Sequence, residues 1–361
     1  MRLAMEGAFE TTVSASPGQA RVPQLQVWQR PTAVAVIAVA AAVLASLAVW
    51  AVTRPSPPAP QPVARFSLTL PPGEVFTGVG RHLVALSPDG TRLVYAANDQ
   101  LYLRQMDRTE ASPIGSTQGA REPFFSPDGQ WVGFYAGGTL RKVHVTGGAP
   151  VTLCEAANPT GANWAADDTI LFGQDTAGIL RVAANGGAPE VLIPMDSERN
   201  ERGQGPELLP DGHTVLFTLS TTGSWDESQI VVQSLDTGER RVLAEGGRDA
   251  RYMPTGHLVY ALEDTLLAVP FDAERLEVTG GPVPLVEGVA GGGGQISAAH
   301  ASVSDSGSLV YVPVSSLSSD ATFQRELVRV DRQGNASLLT DTLGDWESPR
   351  FSPDGRRLRV P

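Results

Sequence analysis

The feature that most restricts this chain is a four-residue turn that keeps returning. Ser87-Pro88-Asp89-Gly90 recurs as Ser126-Pro127-Asp128-Gly129 and as Ser352-Pro353-Asp354-Gly355. Degenerate copies stand at Ala166-Asp167-Asp168, Leu209-Pro210-Asp211-Gly212, Met253-Pro254-Thr255-Gly256 and Ser304-Asp305-Ser306-Gly307. Counted between Asp89, Asp128, Asp167, Asp211, Thr255, Asp305 and Asp354, the steps are 39, 39, 44, 44, 50 and 49 residues. Proline presets φ at the first corner of a tight turn, aspartate caps it, and glycine accepts the positive φ. A run of strand formers follows each turn, as in Leu93-Val94-Tyr95, Trp131-Val132-Gly133-Phe134-Tyr135 and Val215-Leu216-Phe217. Hairpins repeating every 40–50 residues or so mark four-stranded propeller blades, whereas a β-sandwich has no reason to keep seven registers of one turn. The expectation is therefore an all-β, six- to seven-bladed β-propeller over residues 65–361, its last repeat truncated. The strand Arg65–Leu70 is expected to pair with the last blade and cover its edge.

Upstream the composition changes. Residues 1–31 are a polar tail. Residues 32–53 form an uncharged apolar run, long enough at 1.5 Å per residue to cross a hydrocarbon layer of roughly 30 Å. Arg30 and Arg54 bracket that run, and Trp28 and Trp50 stand near its ends, as interfacial aromatics do. It is read as a transmembrane α-helix preceding the propeller. Residues 54–64, opening Arg54-Pro55-Ser56-Pro57-Pro58, read as a stiff polyproline linker. A slight excess of arginines before the span leans toward a cytoplasmic N-terminus. That orientation would place the propeller on the extracytoplasmic side of the membrane, on a single-pass anchor.

The motif Phe125-Ser126-Pro127-Asp128-Gly129, followed by an aliphatic-aromatic strand, resembles the PD40 repeats of TolB-like and WD40-like propellers. The likeness covers about residues 65–360. The layout of tail, span and propeller is similar to bacterial transmembrane serine/threonine protein kinases, in which a cytoplasmic kinase precedes the span. Residues Arg2 to Thr11 resemble the helix that trails the kinase lobe. The resemblance implies a sensor or protein-binding module, a fragment of such a receptor. The alternatives are a TolB-like assembly propeller that binds envelope proteins, or the propeller of a truncated prolyl-oligopeptidase-like peptidase.

Catalytic chemistry is not legible. Thirty-one residues before the span cannot hold a kinase, and no Gly-rich loop with a strand lysine, His-Arg-Asp loop or Asp-Phe-Gly site occurs. Gly291-Gly292-Gly293-Gly294 lacks the following helix and lysine of a phosphate cradle. No Gly-x-Ser-x-Gly elbow is present. The five histidines, His82, His144, His213, His257 and His300, show no metal-ligand spacing. Cys154 is the single cysteine, so neither a disulfide framework nor a multi-cysteine zinc site is available. The net charge of −12 argues against nucleic acid as partner. No enzyme activity, cofactor or metal is expected, and oligomeric state is not legible. Propeller geometry instead points to polar residues just ahead of each turn, which should line the mouth of the central channel. These are Glu122, Asn163, Glu207, His300 and Glu347, with Trp164 and Trp346 nearby. A carboxylate-rich ring favours basic peptides or cations.

Overall fold

A computed structural model describes residues 31–53 and 64–359, apart from 79, 226, 293–297, 318–327, 331–335, 341–349 and 353–357. The chain divides into two units, residues 1–68 and 69–361. In the first unit the apolar run forms helix α1 (Pro31–Thr53), 23 residues without an acidic residue in its first turn or a basic one in its last. Side chains along it are described for 35–46 and 49, all exposed. Among the residues so described, no helix is long and apolar enough to cross a membrane, so the expected span is not carried by the described residues. The tail, the kinase-like residues 2–11 and the Pro-rich stretch 54–63 lie outside the described residues.

The second unit is built from antiparallel hairpins. Blade 1 comprises β1 (Val84–Leu86), β2 (Arg92–Ala97), β3 (Gln100–Gln105) and β4 (Ala111–Pro113). Blade 2 comprises β5 (Arg121–Phe125), β6 (Trp131–Ala136), β7 (Thr139–His144) and β8 (Val151–Glu155). Blade 3 is β9 (Ala162–Trp164), β10 (Thr169–Gly173), β11 (Ile179–Ala183) and β12 (Glu190–Ile193). Blade 4 is β13 (Arg202–Leu208), β14 (Thr214–Ser220), β15 (Gln229–Ser234) and β16 (Arg240–Glu245). Blade 5 has β17 (Arg248–Met253), β18 (His257–Leu262) and β19 (Thr265–Asp272), with β20 (Glu277–Val278) and β21 (Val283–Val286) both paired to β19. In each complete blade the strands follow chain order across the sheet.

Five blades are thus complete. A sixth sheet has two strands, β22 (Ala301–Val303) and β23 (Leu309–Tyr311), and β22 packs against β1. The sixth sheet thus lies back against blade 1, and the complete blades among the described residues number five, against the six to seven expected. Two further hairpins follow, β24 (Val328–Val330) with β25 (Ala336–Leu338), and β26 (Arg350–Phe351) with β27 (Leu358–Arg359). The last pair flanks the seventh turn, whose Pro353 to Gly355 lie outside the described residues. Residues 65–70 carry no ladder pairing, contrary to the expected edge strand. The chain first pairs at Phe76, bridged to Ala97.

The recurring turn is what its chemistry dictates. Gly90 N donates to Ser87 O at 2.8 Å, while the Asp89 carboxylate accepts from Thr91 N at 3.0 Å and from the Ser87 hydroxyl at 2.5 Å. Asp128 repeats this with Gln130 N and Ser126. These contacts hold both carboxyls below the ordinary aspartate range, the serine hydroxyl contributing most. The aspartates are turn caps, as their spacing implies. In blade 3, Asp168 takes the glycine's place at φ +62°, a conformation aspartate tolerates better than most residues.

Apolar side chains on facing sheets fill the seams. Phe134 on β6, Phe172 on β10 and Phe217 on β14 are each no more than 1 % exposed. They sit at matching positions after their turns and give the first three seams an aromatic plug, and loss of one such ring costs about 3–5 kcal/mol. Gly133 is the complementary hole, since a β-carbon there would lie 2.1 Å from the Phe124 ring. The close fit of blade on blade leaves the innermost strands to surround a central channel.

Candidate functional site

The innermost strands β1, β5, β9, β13, β17 and β22 wall a cavity of about 690 Å³ on the central axis. Two tiers of residues can be read along them by counting back from the first residue of each turn. Four places back stand Glu122, Gly161, Gly205 and Asp249 in blades 2 to 5, with φ of +57°, +85°, +60° and +51°. The ladder register shifts at this point in β5, β13 and β17, so the position is a repeated β-bulge that re-aims the chain. Leu83 and His300 hold the same place ahead of β1 and β22. Two places back stand Ala85, Phe124, Asn163, Glu207, Arg251 and Ser302, all on the cavity wall.

The first tier is a closed polar network. His82 reaches Glu122 Oε1 through Nδ1 at 2.9 Å and Asp249 Oδ2 through Nε2 at 3.0 Å. Arg81 donates to Glu122 Oε2 at 2.6 Å, to Pro159 O and to Asn158 Oδ1, and its guanidinium lies 4.9 Å from the centre of the Tyr135 ring. Asp249 also accepts from Gln204 Nε2 at 3.1 Å and from Ala299 N at 2.6 Å. Glu122 and Asp249 are only 3 % and 8 % exposed.

Burial alone would lower the His82 pKa. The charge and hydrogen bond of Asp249, joined by those of Glu122, overcome that and lift it to about 10. The imidazole is therefore a cation at neutral pH. Burial would raise the two carboxyls, but the hydrogen bond and charge of His82 reverse this for both, and each sits below its ordinary range. Arg81 assists at Glu122, and Arg251 with the Ala299 N–H at Asp249. Charge in this tier is spent internally.

The second tier is open. Glu207 is half-buried, and its Oε2 accepts from Tyr252 N at 3.0 Å. Arg251 donates to the carbonyls of Gly205 and Ala250 rather than to a carboxylate. Burial pushes the Glu207 carboxyl up to about 7, with Asp305 adding to the rise and Arg251 and the Tyr252 N–H opposing it. Burial also raises Asp305. Trp164, 7 % exposed, and Tyr252 supply apolar wall beside these groups.

Of the five residues expected at the mouth, Asn163 and Glu207 lie in this open tier and Glu122 in the closed one. His300 is wholly buried and off the cavity wall; its N–H donates to Ala290 O at 2.9 Å. Glu347 and Trp346 lie outside the described residues. Sequence reasoning passed over His82, Asp249 and Arg251. Arg248-Asp249-Ala250-Arg251 stands before its turn as Arg121-Glu122 does before Ser126, but the blade 5 turn has lost its aspartate and so drew less notice. Among the described residues no group of three His, Cys, Asp or Glu side chains is placed to hold a metal ion.

No family model matches the chain, and no curated protein matches it. Solved structures do. The chain is similar to a TolB from Agrobacterium tumefaciens (19 % identity, 60 % of this chain and 83 % of that one, TM-score 0.48). TolB from Acinetobacter baumannii is also similar (19 % identity, 57 % of this chain and 54 % of that one, TM-score 0.46). A puromycin-hydrolysing peptidase from Mycobacterium tuberculosis shares 17 % identity over 56 % of this chain and 36 % of that one, at a TM-score of 0.43. The likeness is one of fold, and the propeller itself rests on the blades described above.

Proposed function

We propose that this chain is a membrane-tethered, extracytoplasmic binding propeller without catalytic activity, which takes a basic segment of a protein or peptide at the open tier of its channel. One observation carries the reading. The channel has one tier whose charges are mutually satisfied and one whose carboxyl, Glu207, faces a cavity of about 690 Å³ without an arginine bonded to it. A site of that volume, apolar with a few placed polar groups, suits a ligand better than a structural core does. The acidic expectation drawn from the sequence thus narrows from a ring of carboxylates to Glu207 with Asp305 at the rim. Titrating the full chain in detergent with a lysine-rich and a glutamate-rich fluorescent decapeptide tests it. The basic peptide should bind, and Glu207→Gln should weaken it about tenfold, the worth of one charge-assisted contact. Equal binding of both peptides overturns the reading.

Binding should also follow the Glu207 proton. A cation prefers the ionised carboxyl, which with a pKa of about 7 is scarce at pH 6 and dominant at pH 8. Affinity for the basic peptide should rise roughly fivefold between those values, and Glu207→Gln should flatten the profile.

Tethering rests on the uncharged apolar sequence of 32–53, long enough as a helix to cross a hydrocarbon layer of roughly 30 Å. In bacterial membranes the full chain should resist alkaline carbonate extraction, and deletion of 31–53 should release it. A full chain that is released too sinks the anchor. Coupling to a cytoplasmic kinase rests on the sequence resemblance, and kinase motifs in the reading frame upstream of Met1 are what would support it.

A further inference from the structure

We infer that the cluster of Arg81, His82, Glu122 and Asp249 is the lock that closes the propeller ring, one bond network at the hub engaging every blade position. The apolar clusters seen among the described residues from blade 1 to the sixth sheet join blades that are neighbours in the chain, so they form as the repeats stack in order. The hub cluster is different. His82 stands just before β1, yet its two ring nitrogens engage residues 40 and 167 positions away. Asp249 carries the network on to Gln204 of blade 4 and to the Ala299 N–H leading into the sixth sheet. Arg81 carries it to Asn158 and Pro159, at the entry to blade 3. No pair of adjacent blades contains the partners of His82, so the network exists only when first and last positions have met.

The rim bears the same signature. Leu86 N donates to Ser302 Oγ at 2.9 Å, and Ser306 Oγ donates to Asp89 O at 3.1 Å. These bonds stitch blade 1 to the sixth sheet across 216 and 217 positions. The lock is stronger than this stitching because its groups are charged and enclosed. Removing one partner of a buried pair leaves the other uncompensated, which costs far more than loss of an exposed hydrogen bond.

Its proton dependence follows from the groups around His82: Arg81 on its own segment, Glu122 on β5 and Asp249 on β17, with Arg251 acting on Asp249. A raised imidazole pKa gives stability that is complete below the unfolded value of about 6.5 and lost as pH rises through about 10. Depressed carboxyls give stability that is complete above about 4.5 and lost as pH falls through their folded values. The lock is at full strength between those limits.

Histidine-selective ¹⁵N NMR of the unaltered full chain in detergent tests the lock without any risk to folding. The His82 ring should keep both protons up to pH 9, and a ring that deprotonates near 6.5 overturns the inference. Hydrogen exchange on His82→Gln gives the second arm. Protection should fall together in β1–β2 and β17–β18, on the two sides of the closure, while β10–β11 keeps its own. Loss confined to β1, or spread evenly, overturns the lock. Thermal unfolding gives the third: His82→Gln should lower Tm by roughly 5–10 °C. The triple variant with Glu122→Gln and Asp249→Asn should lose clearly less than the three single losses added together, whereas simple additivity overturns it.

Discussion

The two tiers of the channel are built from the same repeated strand, one at its bulge and one beyond it, and differ in what stands on them. Four residues before the turn, Glu122 and Asp249 meet across the axis through His82, and every charge has a partner. Two residues before the turn, Glu207 and Arg251 face the same cavity and bond to backbone groups instead. The first arrangement holds the carboxyls below their ordinary range and the second lifts one to about 7. In a repeat protein, then, the count from the turn decides whether an acid is structural or available, and the residue type alone decides nothing. Glu122 and Glu207 look alike in the sequence and do opposite things.

That contrast can be broken from either side. The largest effect is expected at Glu122→Gln, which leaves Arg81 and His82 enclosed without their shared counter-ion. Denaturant unfolding should show a loss of about 3–5 kcal/mol, and a loss under 1 kcal/mol would mean the tier is not closed. Next comes Gly205→Val. At φ +60° a β-carbon there would lie 2.9 Å from Asp249 Oδ1, so backbone strain and a clash add to about 2–3 kcal/mol. The same change at Gly212, a turn glycine with open space, should cost only the strain, about 1–2 kcal/mol.

Glu207→Gln should move stability least and with a pH signature of its own. Its raised carboxyl means that the folded chain holds a proton between about 4.5 and 7 that the unfolded chain has released. Stability therefore falls as pH rises through that range. The variant lacks this slope and should gain on the unaltered chain from pH 5 to pH 8, by about 1 kcal/mol once the partly solvated carboxyl is discounted. Parallel stability profiles would place Glu207 in ordinary solvent. Asn163→Ala, on the open wall, should stay within about 0.5 kcal/mol at any pH.

Much of the fold was legible because it is local. Ser-Pro-Asp-Gly needs only its own four residues to make the turn, and the aromatic eight residues after Ser126 or Leu209 needs only the pleat to reach the seam. The open tier was half legible, since Asn163 and Glu207 are polar residues at a countable offset. The closed tier was not. Nothing near His82 in the chain announces a partner 167 residues on, and a histidine without metal spacing reads as a solvated one. The edge strand foreseen at 65–70 failed for an equally long-range reason: whether a segment finds a sheet edge depends on how the ring ends.

The unequal filling of the bulge position has one more consequence. A ring of similar hairpins could in principle shut with one unit too few or too many, because each seam looks much like the next. Glu122, Gly161, Gly205 and Asp249 make the units distinguishable at the hub. A ring shut on five or seven units would carry His82 past Asp249 and strand a buried carboxylate, at a cost of several kcal/mol. The hub network thus favours the one arrangement in which His82 meets both carboxylates.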